Sequence, residues 1–416
     1  MAEGLHREIG LFGAVAYGVG TILGAGVYAL IGIAAGKAGN AVWLSFAIAA
    51  GVAAFSGLSY ARLSAILPVS GAEYAYVEES FHSKFWAFIV GWLVLVSSII
   101  SAAAVALGFG GYLSSLLSVP VEIGAAILIV VLSLVNYLGI RESLILNIVM
   151  TLIELAGILI IIVLGLGYLG SVDLTYSPTG VTGVVGAVGI IFFAFIGFEG
   201  LVKIGEETRD PTRTIPRALL LSLVITTVLY VLVAVSVVSI LPYQELAASS
   251  SPLADAALRA QGPTAALVLA VVALISTANT VLIILIATSR IAYGMSARSA
   301  LPGVFASLHP ERGTPRAAIL LSMAASVAFC FLGGIELTAN AANFTIFMVF
   351  LAVNLAVIQF ARLDKGIGRG YVISAVLGAG SSLLMLTQFS WEVVALSAVI
   401  TVAGAGVFKL VEQSLR

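Results

Sequence analysis

The stretch GIIFFAFIGFEGLVKIGEETRDP, from Gly189 to Pro211, combines two opposite properties. Its first half is almost wholly apolar, whereas its second half is rich in charged residues. Between the halves stands Gly197-Phe198-Glu199-Gly200, so two glycines and a carboxylate interrupt a segment apolar enough to enter a membrane. Because glycine costs about 1 kcal/mol relative to alanine inside a helix, this interruption predicts unwound backbone within a membrane span.

The composition of the whole chain points to the same environment. The 416 residues are 61% hydrophobic and only 9% charged, whereas about a quarter of an ordinary soluble domain is charged. Apolar stretches of about 20 residues, long enough to cross a bilayer, recur along the chain. The sequence therefore predicts an all-α polytopic membrane protein whose surroundings are the lipid bilayer.

The charged and metal-binding residue types exclude other classes of protein. The net charge of -1 gives no global field that would attract nucleic acid. Cys330 is the single cysteine, and the three histidines fall in polar connections, so no pattern resembles a metal site. Neither a cofactor nor a metal is expected, and the sequence leaves the oligomeric state open.

Hydropathy and the Pro and Gly breakers divide the chain into twelve predicted spans. Their bounds are 10–36, 41–67, 85–112, 121–139, 143–169, 181–206, 215–241, 263–297, 315–334, 337–361, 370–387 and 391–411. With the N-terminus inside, all but Lys37 and Arg259 of the 19 lysines and arginines fall on the cytoplasmic side. This positive-inside bias predicts cytoplasmic N- and C-termini, and the short loops favour the cytoplasmic membrane.

A second interruption lies five spans before the first one. Span one contains clustered glycines in Gly20–Tyr28, as span six does in Phe195–Gly200. An odd offset makes the two segments cross the membrane in opposite directions, the pattern of an inverted-repeat transporter. The alternative for either cluster alone is close helix packing, for which membrane helices often use glycine.

Unwound backbone at this depth must face protein, water or a ligand, because unsatisfied groups cost several kcal/mol in lipid. Free N–H groups at a half-helix N-terminus favour a carboxylate, and free carbonyls favour an ammonium group or a small cation. The two interruptions together therefore predict a receptor for a zwitterion.

Three ordered motifs resemble those of the amino acid–polyamine–organocation transporters. They are Gly24-Ala25-Gly26-Val27-Tyr28 in span one, Phe192–Glu199 with Glu206–Pro211 and Ile215-Pro216 around span six, and Ala297–Pro302 with Thr314-Pro315 after span eight. The resemblance implies a LeuT-like fold with 12 transmembrane helices and broken helices 1 and 6. It divides the chain into inverted repeats at 1–170 and 171–363, followed by two peripheral helices at 364–416.

The same resemblance implies where an amino acid substrate binds. Its carboxylate is expected at the first break, at Ile22, Gly24, Ala25 and Gly26. Its ammonium group is expected at carbonyls of the sixth break, at Phe193, Ala194 and Ile196, with the Phe193 ring as the lid. Ala25 replaces a serine of many relatives, which removes one hydroxyl donor. The substrate side chain is expected near Ser98, Ala102, Phe198 and Ile284, and because none of these is charged, a neutral amino acid is favoured.

Glu154, with apolar residues on both sides in span five, is the most unusual charge. An ionisable group at that depth costs about 2.5–3.5 kcal/mol on insertion scales and marks a functional candidate. Many relatives carry a lysine at this position, so the acid predicts a different coupling device. Glu154 either takes up and releases a coupling proton, which we favour, or joins Thr288, Ser289 and carbonyls near Gly20 in binding sodium. A third possibility is a protonated carboxyl that only links two helices.

The remaining charges of the sixth span suggest a gate. Glu199 is expected in the inner gate from its place in the family signature; the alternative is that it pairs with a lysine- or arginine-like substrate. Lys203, Glu206 and Glu207 follow at the cytoplasmic end of the span and are expected in the same gate, with a solvated membrane-edge cluster as an equal alternative. The prediction is therefore an amino acid permease, a secondary active transporter that works by alternating access with proton-coupled uptake. Exchange, sodium symport, transport of cationic amino acids or polyamines, and a transporter-like sensor are the alternatives. An intramembrane enzyme is excluded because no span contains histidine or aspartate.

Overall fold

A computed structural model of the protein describes residues 9–24, 26–67, 72–138, 141–203, 208–309, 314–363 and 366–414. In residues 72, 138, 141–148, 203 and 414 only the backbone is described. Within these ranges the regular secondary structure consists of α-helices and short 3₁₀-helices, with no strand between them. The α-helices are α1 (Leu11–Ile22), α2 (Gly26–Ala38), α3 (Val42–Ile66), α4 (Ala72–Phe81), α5 (Lys84–Leu117), α6 (Val121–Leu138), α7 (Arg141–Leu166), α8 (Val181–Ile191), α9 (Gly200–Lys203), α10 (Pro211–Ile240), α11 (Tyr243–Ala248), α12 (Pro252–Gln261), α13 (Pro263–Ala297), α14 (Arg316–Cys330), α15 (Ile335–Arg362), α16 (Arg369–Leu386) and α17 (Trp391–Ser414).

The described residues contain 9 helical stretches long and apolar enough to cross a membrane. Three shorter apolar helices accompany them, at Leu11–Ile22, Val121–Tyr137 and Arg316–Cys330. The protein is therefore an all-helical, multi-pass membrane protein, as its composition predicts. The count of twelve spans and the division into repeats stay predictions.

The observed helix bounds follow the predicted spans closely, with one clear exception. α5 continues to Leu117, past Gly110 and Gly111, and ends where Ser118 adopts a left-handed conformation with φ 53°. Those glycines serve close packing instead, because a Cβ at Gly110 would meet the Val121 carbonyl and one at Gly111 the Ser250 carbonyl. Isolated glycines thus allow backbones to approach without breaking the helix.

Both predicted interruptions are present in the backbone. α1 ends at Ile22 and α2 begins at Gly26; between them Leu23 has φ -65° and ψ 62°, and the Gly24 N–H donates to the Ile22 carbonyl at 2.6 Å. This is an inverse γ-turn. In the other interruption α8 gives way to a 3₁₀ turn, Phe192–Phe195, and Gly197 has φ 121°, a conformation that favours glycine.

The two interrupted segments lie side by side. α2 packs against α8, and α1 packs against α9 and α10. A Cβ on Gly26 would lie 2.5 Å from the Ala194 Cα, and one on Gly197 would lie 2.4 Å from the Thr21 carbonyl oxygen. The backbones therefore meet at their breaks, and glycine makes this approach possible.

Candidate functional site

Tyr230 of α10 connects the two interruptions. Its hydroxyl group is 2.6 Å from the Ile22 carbonyl oxygen and 3.1 Å from the Ala194 carbonyl oxygen, so it can donate to either. The side chain is fully buried. A carbonyl left at the end of a helix costs free energy unless something donates to it, so this single hydroxyl stabilises whichever of the two breaks it donates to. The sequence analysis missed Tyr230, whose only signal is a hydroxyl within an apolar span.

The sixth break presents its carbonyls as the sequence predicts, but it also uses some of them internally. The Phe193 carbonyl accepts from the Ile196 N–H at 3.3 Å, while Ala194 has Tyr230 as its donor. Each carbonyl oxygen has a second lone pair, so these contacts leave room for a ligand donor. The Phe193 side chain is 7% exposed, close to buried. Its service as a lid stays a prediction.

Phe198 lies in an aromatic cluster at the sixth break, together with Tyr60 and Phe350. Its ring centroid is 6.0 Å from that of Tyr60 and 5.2 Å from that of Phe350, and the side chain is fully buried. Such ring pairs stabilise packing beyond their buried area. The contacts of Phe198 thus tie the break to α3 and α15, whereas the sequence analysis expects this residue to face the substrate side chain.

The other residues predicted for the side-chain pocket lie on α5 and α13. The partly exposed Ser98 donates its hydroxyl to the Val94 carbonyl at 2.9 Å, and Ala102 is fully buried. Ile284 is partly buried and packs against the core. All three are apolar or internally satisfied, as a pocket for an uncharged side chain requires, and their contact with a substrate stays a prediction.

Glu154 is buried where α2, α7 and α13 meet. Its side chain is 1% exposed, and its Oε1 accepts from the Ser276 hydroxyl at 2.6 Å. The Tyr28 hydroxyl donates to the backbone carbonyl of Glu154 at 2.9 Å. Tyr28 belongs to α2, the second half of the first interrupted segment, so the acid is connected to the break through one residue. The sequence did not identify Ser276 or Tyr28 as partners of Glu154.

Further hydroxyl groups surround the first break. Thr280 of α13 lies against Gly24, with its Oγ1 3.3 Å from the position that a Cβ would take. Thr151 of α7, one turn before Glu154, lies against Gly20, with its Oγ1 3.7 Å from the position that a Cβ would take. Ser276 and Thr280 are one turn apart on α13, and the Thr280 hydroxyl donates to the Ser276 carbonyl at 3.0 Å. The acid and the break therefore share one polar surface of α13.

The structure separates Thr288 and Ser289 from Glu154, which corrects their predicted partnership. They lie twelve or more residues beyond Ser276 on the straight run of α13, roughly 18 Å at 1.5 Å per residue. The Thr288 hydroxyl donates to the Ile284 carbonyl at 2.6 Å, and the Ser289 hydroxyl donates to that of Ile286 at 2.9 Å. Sequence spacing did not reveal which turn of α13 faces α7.

Glu199 stabilises the sixth break directly. Its Oε2 accepts from the Gly197 N–H at 2.9 Å, which satisfies a donor that the interrupted helix leaves free. The side chain is partly buried. Ala25, Glu206 and Glu207 lie outside the described residues, as does the side chain of Lys203, so the gate predicted for this end of the segment stays a prediction.

Chemically, the site consists of backbone groups, hydroxyls and carboxyls. Within the described ranges, no group of three or more His, Cys, Asp or Glu side chains could hold a metal ion. The breaks offer N–H donors and carbonyl acceptors side by side, and one titratable carboxyl is buried next to them. This arrangement is suited to a small zwitterion, which carries one positive and one negative charge, and the buried carboxyl of Glu154 can hold a proton.

Comparison with known proteins gives an independent result. Residues 9–407 match the profile of a family described as amino acid permease. The branched-chain amino acid permease BcaP of Bacillus subtilis is 26% identical over 391 residues, covering 89% of this chain and 84% of that protein. The methylthioribose transporter of the same species is 29% identical over 385 residues, covering 87% and 82%. Human cationic amino acid transporter 4 is 30% identical over 400 residues, covering 87% of this chain and 61% of the human protein.

Proposed function

Because the chain belongs to the amino acid permease family, we propose that it takes up a neutral amino acid by proton-coupled alternating access. Family membership makes the protein an amino acid transporter and not an enzyme. One observation carries the finer proposal: two interrupted membrane segments meet at their breaks and share one buried hydroxyl, that of Tyr230. In lipid, such backbone is tolerated only where it lines a cavity or is buried in protein.

In this proposal the two breaks bind the two charges of the substrate. The carboxylate binds at the N–H groups around Gly24 and Gly26, where α2 begins and its dipole favours an anion. The ammonium group binds at the free lone pairs of the Ala194 and Ile196 carbonyls. Phe193 closes the site from outside.

A neutral substrate side chain agrees with the surroundings of the breaks. A cationic or acidic side chain at this depth requires an oppositely charged partner. Glu199 is the acid at the sixth break, and it already accepts the Gly197 N–H. The name of BcaP favours a branched-chain amino acid, whereas the name of human cationic amino acid transporter 4 keeps a cationic substrate as the second candidate.

Glu154 is the proposed coupling group. Burial disfavours its charged form, and the Ser276 hydroxyl can donate to the carboxylate or rotate to accept from the protonated acid. Uptake or release of a proton by Glu154 thus affects the first break through the hydrogen bond between the Tyr28 hydroxyl and the Glu154 backbone carbonyl. Two alternatives to proton coupling remain: symport with sodium, and exchange of one amino acid for another.

The proposed topology has twelve spans, cytoplasmic termini and a location in the cytoplasmic membrane. Nine apolar stretches and three shorter apolar helices support this count if the stretch Gly26–Ile66 is divided, so that α1 and α2 form one span and α3 the next, and if α8 and α9 form one span together. The bias of lysine and arginine supports the orientation. Matching interruptions in the first and sixth spans support the repeats at 1–170 and 171–363, with 364–416 peripheral.

Uptake into proteoliposomes tests the proposal. With each radiolabelled amino acid in turn, we expect saturable uptake of at least one neutral amino acid, stimulated by an inward proton gradient. Phe193→Ala should lose this uptake because the lid is removed. Absence of uptake of every one of the twenty amino acids would exclude the proposal, and competition by arginine or lysine alone would exclude the neutral substrate. Replacing sodium with choline separates proton from sodium coupling.

Gly26→Ala is expected to destabilise the protein and abolish uptake. The new Cβ would stand 2.5 Å from the Ala194 Cα, so the two breaks must move apart, at a cost of about 1–3 kcal/mol. Gly51→Ala on α3 is the matched control, since nothing lies within 4 Å of its Cβ position. Thermal unfolding should show a lower Tm for the first variant only; equal Tm values and uptake would contradict the close approach.

A further inference from the structure

An open cavity of about 510 Å³ lies at the end of the bundle opposite the start of α1. We call it the outer cavity. It lies where α2 ends and α15 begins, beside Gly186 and Gly189 of α8, and at the connection between α16 and α17. Its lining includes Lys37, Glu336, Asn340, Gln388, Phe389 and Val393. The volume falls in the range of small-molecule sites and is ample for an amino acid.

One cation and one anion face each other in this cavity. The Lys37 Nζ is 2.5 Å from the Glu336 Oε1, which connects α2 to α15. The two side chains are 39% and 47% exposed. An ion pair this exposed contributes little to stability, so it holds the two helices together only weakly. Both side chains are long and flexible, and either can turn to an external partner of opposite charge.

Neutral and apolar groups complete the lining. Asn340 and Gln388 supply polar groups, whereas Phe389 and Val393 supply apolar surface. The Phe389 ring is held by Phe344, at a centroid distance of 5.7 Å, and by Phe347, at 6.2 Å. The cavity therefore offers a cation, an anion and an apolar wall, which matches the carboxylate, the ammonium group and the side chain of a neutral amino acid.

We propose that the outer cavity is a second, low-affinity amino acid site, in which Lys37 binds the carboxylate and Glu336 binds the ammonium group of an incoming zwitterion. The inference rests on the proposed function. Lys37 is eleven residues beyond the start of α2, roughly 16 Å from the first break, so an occupant touches the helix that leads to the central site. The substrate replaces one weak ion pair by two, so the cavity can hold it loosely before it reaches the central site. Because Phe389 belongs to the connection between α16 and α17, the peripheral helices contribute to this capture.

Binding in the absence of the central site tests the inference. In full-length Phe193→Ala protein in nanodiscs, saturation-transfer NMR with L-leucine should give a saturable signal. Adding Lys37→Gln or Glu336→Gln should remove it. The matched controls Arg259→Gln and Glu245→Gln neutralise exposed charges on α12 and α11, away from the cavity lining, and should preserve it. Absence of the signal in Phe193→Ala, or its persistence in both cavity variants, would overturn the proposal.

Uptake kinetics give a second measurement that does not depend on Phe193→Ala. Lys37→Gln and Glu336→Gln alone should raise KM for L-leucine about fivefold, in keeping with the loss of one half-exposed charge contact, with maximal rate changed less than twofold. If the pair serves only as a latch, the maximal rate changes and KM does not, which counts against a binding site. Failure of the proposed function is distinct, because the wild type would then take up no amino acid.

Discussion

Glu154→Gln is expected to abolish the response of uptake to an imposed pH gradient while leaving substrate binding in place. Glutamine preserves the size of the side chain and can keep a hydrogen bond with Ser276, which stands 2.6 Å from the Oε1, but it cannot carry a proton in and out. The measurement compares initial uptake into proteoliposomes with and without an inward proton gradient. The gradient should stimulate the wild type and leave the variant unchanged.

Two further measurements separate coupling from loss of structure. Equilibrium binding of the transported amino acid should be nearly equal in wild type and Glu154→Gln, and exchange of internal for external substrate should persist. Glu245→Gln, which neutralises an exposed acid on α11, should respond to the gradient as the wild type does. If Glu154→Gln still follows the gradient, Glu154 is not the proton site and only the structural role of its hydrogen bonds remains.

Tyr230→Phe is expected to lower uptake by about 10- to 100-fold. The change leaves the ring and its packing but removes the hydroxyl that serves the Ile22 and Ala194 carbonyls. The Ile22 carbonyl keeps the Gly24 N–H as a donor, so the loss falls on the Ala194 carbonyl. A buried acceptor left without its donor costs about 1–3 kcal/mol, and this one belongs to the backbone proposed to hold the substrate. Affinity for the amino acid should fall in parallel, as measured by binding to the purified protein.

Tyr112→Phe is the matched control for this substitution. Tyr112 is also fully buried, and its hydroxyl donates to a backbone carbonyl, that of Tyr28, at 3.0 Å. Both variants should lose a similar amount of thermal stability, because each removes one buried hydroxyl with two backbone partners: the Ile22 and Ala194 carbonyls for Tyr230, and the Tyr28 carbonyl and Leu253 N–H for Tyr112. Uptake should fall strongly in Tyr230→Phe and little in Tyr112→Phe. Equal losses of uptake would mean that Tyr230 acts through general stability and not through the breaks.

Much of the candidate site could be predicted from the sequence because its main elements are local. Each break is encoded by glycines within a few residues of the chain, at Gly24 and Gly26 and again at Gly197 and Gly200. Glu154 was identified because a single charge within an apolar span is costly. In each case the relevant property, helix propensity or hydropathy, belongs to a short segment and needs no knowledge of its neighbours.

The contacts of these elements could not be predicted in the same way. The sodium alternative grouped Thr288 and Ser289 of span eight with Glu154, whereas Ser276, three turns earlier, donates to the acid. The contacts of Phe198 with Tyr60 and Phe350 likewise had no signal in the sequence, and its contact with a substrate stays a prediction. A long apolar helix has weak amphipathic character, since lipid and protein interior are similarly apolar, so the face that meets another helix leaves little trace in the pattern.

The sequence by itself determined that this chain crosses the membrane many times and that two of its spans are interrupted. The tertiary structure alone decided that the two interruptions touch, that Tyr230 joins them across 208 residues of sequence, and that Ser276 meets Glu154 across 122. The physical reason is the range of the forces involved. Burial in lipid and the cost of glycine act on each segment separately, whereas a hydrogen bond between helices exists only after packing has brought its two atoms within about 3 Å.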